Sequence, residues 1–171
     1  MPDGGLELTR FTPGPDTARA FRDALGKFAT GVTIVTCQSD RGPLGITANS
    51  FASLSLDPPL VLWSPARASR RFQAFADAEH YAIHVLSADQ QSLCDRFADN
   101  GLNFADLDWS QGAHAVPLLP DCLARFECTR QALHDGGDHA IIVGLVTAAA
   151  TGPGEPLLFS GGRYGGFGGH G

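Results

Sequence analysis

The sequence predicts a closed antiparallel β-barrel with a few helices at its rim. Three observations carry this reading. Strand-like runs recur along the chain: "VTIVTC" from Val32, "LVLW" from Leu60, "YAIHVL" from Tyr81, "CLARFECTRQAL" from Cys122 and "HAIIVGLVTAAA" from His139. Turn formers separate many of them, "DRGP" at 40–43, "DPP" at 57–59 and "HDGGD" at 134–138. Helical periodicity is confined to a few short segments, too few for the strict strand–helix alternation of a doubly wound sheet.

Taken in order, residues 1–15 carry Gly4, Gly5, Pro13, Gly14 and Pro15 and read as a loose arm. Asp16 is a candidate N-cap for a helix through "TARAFRDALGKF", where Phe21, Leu25 and Phe28 fall on one stripe and Gly31 lies just past the end. Residues 32–38 and 45–53 form a hairpin around "DRGP". Leu54, Leu56, Leu60, Val61 and Leu62 suggest buried sheet, interrupted at "DPP". A short helix follows in "SRRFQAFADA" on Phe72, Phe75 and Ala76. After the strand "YAIHVL", Ser87 opens a second helix, "ADQQSLCDRFA", with Ser87 and Gln90 spaced as a capping box and Leu93 and Phe97 on one face. Residues 99–121, rich in Asn, Asp, Gly and Pro, read as a long surface excursion. Two long strands come next, the second a buried one, and "PLLF" and "GRYGGF" complete the sheet. The total is about six or seven strands in one domain over 16–165, followed by a glycine-rich tail at 166–171. The tail spells G-x-G-x-x-G, but that fingerprint needs a strand before it and a helix after it, so it reads as a flexible terminus.

Composition excludes several classes of function. The chain has 171 residues, 43% apolar and 18% charged, as a single soluble domain does. The net charge is −6 and Lys27 is the sole lysine, which argues against nucleic acid as a partner. No apolar run approaches the roughly 18 residues of a membrane span. "MPDGGLELTRFTPGPD" lacks the basic start and apolar core of a signal peptide, so the expected location is cytoplasmic. Cys37, Cys94, Cys122 and Cys128 form no C-x-x-C pair and read as buried free thiols. The histidines show no metal-ligand spacing; His80 and His84 lie around a strand and would share a face only loosely. No metal site is expected.

Three features remain for chemistry. "GITANSFASLSLDPPLVLW", from Gly45, mixes strand residues with more small hydroxyl side chains than a core needs. "SPARASRRF" places Ser69 at a helix start among Arg67, Arg70 and Arg71; it reads equally as an anion site or as a solvated basic face. His139 follows the Gly136-Gly137-Asp138 turn, where Asp138 can orient the imidazole; the plainer reading is a turn histidine. Together they suit a ligand with an anionic end and a flat polar ring.

These residues resemble the flavin reductase family with the FMN-binding split-barrel fold, the reductase components of two-component monooxygenases. The resemblance rests on "FRDALGKFATGVTIVT" (21–36), "GITANSFASLSLDPPLVLWS" (45–64), "YAIHVLSADQQSLCDRFA" (81–98), "GGDHAIIVGLV" (136–146) and "PLLFSGGRYGGF" (156–167). It implies a homodimer of six-stranded Greek-key barrels that binds FAD or FMN near the subunit interface. It implies NADH or NADPH as reductant and a partner monooxygenase that receives the reduced flavin. By the same resemblance Thr33, Thr47, Ala48, Asn49, Ser50, Ser53 and Ser64 line the flavin, and Ser69 and Arg71 hold its phosphate. The family commonly has a second hydroxyl residue where Arg71 stands. His139 would serve the nicotinamide nucleotide, and Tyr164 the nicotinamide or the flavin. The alternatives are a split barrel that holds flavin without turning it over, and a small-ligand barrel unrelated to flavin.

Overall fold

The computed structural model describes residues 7–167. The first six residues of the arm and residues 168–171 of the tail lie outside the described residues. After a turn of 3-10 helix (Pro15–Thr17) come α1 (Ala18–Leu25), β1 (Thr30–Gly31), β2 (Thr33–Ser39), β3 (Gly42–Ala48), β4 (Ala52–Leu56) and β5 (Pro59–Trp63). Then follow α2 (Phe72–Asp77), β6 (His80–Val85), α3 (Gln91–Asp99), β7 (Ser110–Gln111) and β8 (Pro117–Leu118). The chain continues with β9 (Ala124–Gly136), β10 (His139–Thr151), β11 (Leu158–Ser160) and β12 (Arg163–Gly165).

Seven strands form the main antiparallel sheet, in the order β3-β2-β6-β9-β10-β5-β4. The expected six-stranded closed barrel is corrected on two points. The count is seven because the run 45–56 breaks at 49–51 and becomes β3 and β4. The ladder does not close, because β3 and β4 are its two edges and do not pair. The long hairpin β9–β10 carries two register shifts, at Val143/Gly144 and Val146/Ala148, of the kind that bend and twist a sheet. β11 and β12 do not complete this sheet; they pair with β1 in a separate three-stranded one.

The unbroken run of buried residues from Val32 to Cys37 is explained by packing on both faces of β2. Alternate side chains point opposite ways. Val35 and Cys37 enter a cluster with Trp63, Phe75, Tyr81, Ile83 and Ile142. Val32 and Ile34 enter another with Leu86, Cys94, Phe97, Leu119 and Leu157. Burying each such Val or Ile contributes about 1.5–3 kcal/mol. Residues 99–121 do not merely skirt the surface: Phe104, Val116, Leu118 and Leu119 are buried. Phe104 meets Phe97 and Trp109 edge-on, with ring centroids 4.9 and 5.5 Å away. The polar composition of the segment conceals these few anchors. β10 is buried only toward its start; from Thr147 onward it is exposed.

The Ser87–Gln90 capping box forms as expected. Cys37, Cys94 and Cys128 are buried free thiols and Cys122 is half-buried. Burial pushes the thiols of Cys37 and Cys128 up to about 12. Asp16 does not cap α1; it sits inside the 3-10 turn. The apolar stripe of Phe21, Leu25 and Phe28 is exposed rather than packed on the core. Leu54 and Leu56 also face outward from the edge strand β4, Leu56 at 96% exposure. Among the described residues no helix is long and apolar enough to cross a membrane.

Candidate functional site

All but one of the predicted site residues fall into three neighbourhoods linked along the chain. The first is a pocket of about 140 Å³ at the end of β3, lined by Val32, Thr47, Ala48, Asn49, Phe159 and Tyr164. Thr33 stands behind it, its Oγ1 donating to Ala48 O at 2.6 Å. Asn49 is exposed and its side chain has no hydrogen bond within the protein among the described residues. Phe159 and Tyr164 form an aromatic wall, their rings 5.2 Å apart. β1, β11 and β12 are thus more than an appendage, because the small sheet carries the pocket's two aromatic lining residues.

The second neighbourhood runs from Ser50 to His139. Ser50 Oγ accepts from Ser64 N–H at 2.9 Å and donates to Ser64 O at 3.1 Å, which ties the turn after β3 to the end of β5. The chain then passes along the His139 turn: Ala140 N–H donates to Pro65 O, Arg67 N–H donates to Asp138 O, and Ala66 bridges to His139. Arg67 also pairs with Asp135 at 2.7 Å, so it holds the hairpin tip. His139 Nδ1 lies 2.8 Å from Asp138 Oδ1. That hydrogen bond holds the Asp138 carboxyl below its usual range.

The third is a groove of about 460 Å³ lined by Arg41, Ser69, Arg70, Arg71, Asn100 and Gly101, among others. Arg71 is already occupied: it donates to Phe97 O, to Gly45 O at 3.1 Å and to Ala98 O at 2.9 Å. It thereby satisfies carbonyls at the C-terminal end of α3 that a helix end leaves without partners. A guanidinium has five N–H groups, so two remain for a ligand. Ser69 Oγ accepts from Arg71 N–H at 3.2 Å. Arg70 has no protein partner among the described residues.

Ser53 stands apart. It is exposed on β4, beside a register shift, and the structure brings it to none of the three neighbourhoods. Val32, Phe159 and Cys94, which line or back the pocket, were not expected there. Only the folding of the small sheet and α3 onto β3 brings them in, and no local motif signals that. A larger concavity of about 720 Å³, lined in part by Ser87, Asp89, Cys122, Arg125, Thr151 and Glu155, contains none of the predicted residues. Among the described residues no three His, Cys, Asp or Glu side chains are grouped to hold a metal.

Residues 25–168 match the family described as Flavin reductase like domain. The chain is 60% identical over 157 residues to the FMN reductase (NADH) SmoA of Agrobacterium fabrum, covering 92% of this chain and 90% of that protein. It is 42% identical over 164 residues to HsaB, the reductase subunit of a flavin-dependent monooxygenase of Rhodococcus jostii, covering 95% and 82%. Its structure superposes, with a TM-score of 0.84 and 38% identity, on the Streptomyces globisporus NADH:FAD oxidoreductase SgcE6 solved in complex with NAD and FAD fragments, covering 92% of this chain and 97% of that one. The chain belongs to the flavin reductase like domain family.

Proposed function

We propose that the protein is an NADH:flavin oxidoreductase that reduces FMN or FAD and passes the reduced flavin to a monooxygenase. The observation that carries this reading is the 60% identity to an NADH-dependent FMN reductase across nine-tenths of both chains. The pocket at the end of β3 fits the ligand. It has apolar and aromatic walls in Val32, Phe159 and Tyr164, and a free amide in Asn49, the mix of a ring site with a few orienting polar groups.

A bound flavin supplies the acceptor for a hydride from the dihydronicotinamide. The chain's own part is to place two rings against each other at about 3–3.5 Å and to meet developing charge with fixed donors. Thr47, Ala48, Asn49 and Tyr164 form the ring site. The Ser50–Ser64 clasp holds the turn beside it, backed by Thr33. Ser69 and the two unused N–H groups of Arg71, with Arg70 and Arg41 nearby, take the anionic end. His139, oriented by Asp138, meets the nicotinamide nucleotide as a positioning and electrostatic group. NADH as reductant makes the cytoplasm the compartment of the reaction.

At about 140 Å³ the pocket is smaller than the roughly 300–1,000 Å³ of ordinary ligand sites. A second subunit closes it in this reading. The outward-facing Leu54 and Leu56 of β4 and the exposed stripe of α1 are apolar surface of the kind such a homodimer covers. Light scattering should give a mass of about twice 18.0 kDa; an active monomer contradicts the dimer.

The test is NADH absorbance followed with FMN, FAD and riboflavin added in turn. Consumption that depends on added flavin is expected. Quenched flavin fluorescence without NADH consumption replaces the reductase with a flavin-holding protein, and no quenching at all rejects both.

A further inference from the structure

One residue of α3 holds the ring pocket from behind. Cys94 is fully buried, yet both its backbone and its side chain engage residues of the pocket lining. Its carbonyl accepts from Thr47 Oγ1 at 2.6 Å, and its Sγ is hydrogen-bonded to Tyr164 Oη at 3.2 Å. Thr47 belongs to the seven-stranded sheet and Tyr164 to the three-stranded one. Cys94 is therefore a clasp between two sheets that meet at this pocket.

The hydrogens can be counted. A phenol has one O–H to donate and lone pairs to accept, and a thiol is a weak donor. Burial holds the Cys94 thiol above its usual range. Its hydrogen bond with Cys94, and then burial, push Tyr164 up to about 12. Both groups keep their hydrogens at neutral pH. The phenol is the better donor, and its O–H donated to Sγ is the direction that raises Tyr164 and opposes the rise of the thiol, so Cys94 fixes the orientation of the phenol.

We propose that Cys94 is a positioning residue for the flavin pocket: by holding Tyr164 Oη through its Sγ it fixes the ring that walls the pocket, and by anchoring Thr47 it fixes the neighbouring wall. Cys94 touches no ligand itself. The proposal rests on the reading of this pocket as the flavin ring site.

A double-mutant cycle of Cys94→Ala with Tyr164→Phe tests it, with Cys94→Ser as the rescue that keeps a hydrogen-bonding group. Cys94→Val, also without such a group, replaces Cys94→Ala if the latter fails to fold. Riboflavin affinity, NADH kcat and KM, and melting temperature are read on each. The chain has two tyrosines, so labelling with tyrosine carrying 13C at Cζ gives two resonances that report the phenols directly. Cys94→Ala is expected to weaken riboflavin binding by about three- to ten-fold and to move the Tyr164 resonance. Cys94→Ser should restore binding to within about two-fold. In the Tyr164→Phe background Cys94→Ala should cost less than about two-fold more, because coupled residues are not additive. A loss undiminished in that background, or equal for Ser and Ala, overturns the proposal. An unmoved Tyr164 resonance overturns the clasp whether or not flavin binds. A moved resonance in a chain that binds no flavin keeps the clasp but rejects flavin as the occupant.

Discussion

His84 and His139 stand on the same sheet, and their hydrogen-bonding capacity is used in opposite ways. His84 is fully buried in β6. Its Nε2 accepts from Leu119 N–H at 3.1 Å, so Nδ1 carries the hydrogen, which it donates to Ile34 O at 3.1 Å. Both nitrogens are committed and the ring is neutral; burial pushes its pKa down to about 4. His139 uses Nδ1 on Asp138 and leaves Nε2 without a protein partner among the described residues, on a side chain that is 43% exposed. The first ring completes the fold. The second has a nitrogen left for a ligand. The same contrast separates Arg71, tied to three carbonyls, from Arg70, and the Ser50–Ser64 clasp from the unpartnered Asn49.

The contrast fails most visibly if His84 can be removed cheaply. His84→Ala leaves Leu119 N–H buried without a partner, removes the side-chain bond to Ile34 O and opens a cavity. The expected loss is about 3–4 kcal/mol of stability, read by urea unfolding. NADH kinetics of the folded fraction should be unchanged. The wild-type ring also predicts a pH dependence. Its folded pKa of about 4 lies below its ordinary 6.5, so the unfolded chain takes up the proton first. Its contribution is fully present above pH 6.5 and is lost as pH falls from there through about 4, by up to about 3 kcal/mol. His84→Ala should remove that part of the acid slope.

A smaller effect is expected where α3 meets β3. A Cβ at Gly101 would lie 2.4 Å from Gly45 O and 2.7 Å from Arg71 Cδ. Gly101→Ala should therefore cost about 1–3 kcal/mol. Gly31→Ala, with nothing within 4 Å of its new Cβ, is the near-neutral control. Comparable melting temperatures for the two would remove the close packing from the account.

Smaller again is Arg71→Ala. It should lower stability by about 1–2 kcal/mol through the lost carbonyl contacts. If its unused N–H groups also hold phosphate, FMN binding should fall more than riboflavin binding. Arg70→Ala should leave the melting temperature unmoved. Equal affinity losses for FMN and riboflavin in Arg71→Ala would assign that residue to the fold alone.

Much of this was legible in the sequence because local rules govern it. The β2–β3 hairpin follows from "DRGP", the Ser87–Gln90 cap from its spacing, and α2 from Phe72, Phe75 and Ala76. The candidate site was legible as far as its residues are contiguous: Thr47, Ala48 and Asn49 share a pocket because they are neighbours at one strand end. What was hidden depends on distant packing. Nothing near Cys94 indicates that it meets Tyr164. Nothing in "PLLF" says that β11 leaves the main sheet to pair with β1. Residues 99–121 looked like surface because their composition is polar, whereas a few apolar side chains decide where they sit. The apolar Leu54 and Leu56 were read as core; they belong to an edge strand and face outward.

The kcat/KM of His139→Ala for NADH, set against wild type, tests the central claim most directly. Because the ring's second nitrogen is not needed by the fold, the melting temperature should stay put and flavin affinity should hold within a few-fold. The kcat/KM for NADH should fall about ten-fold or more, on the order of 1.4 kcal/mol of transition-state stabilisation. Unchanged NADH kinetics would contradict the account, because the free nitrogen of His139 would then do nothing for the reaction.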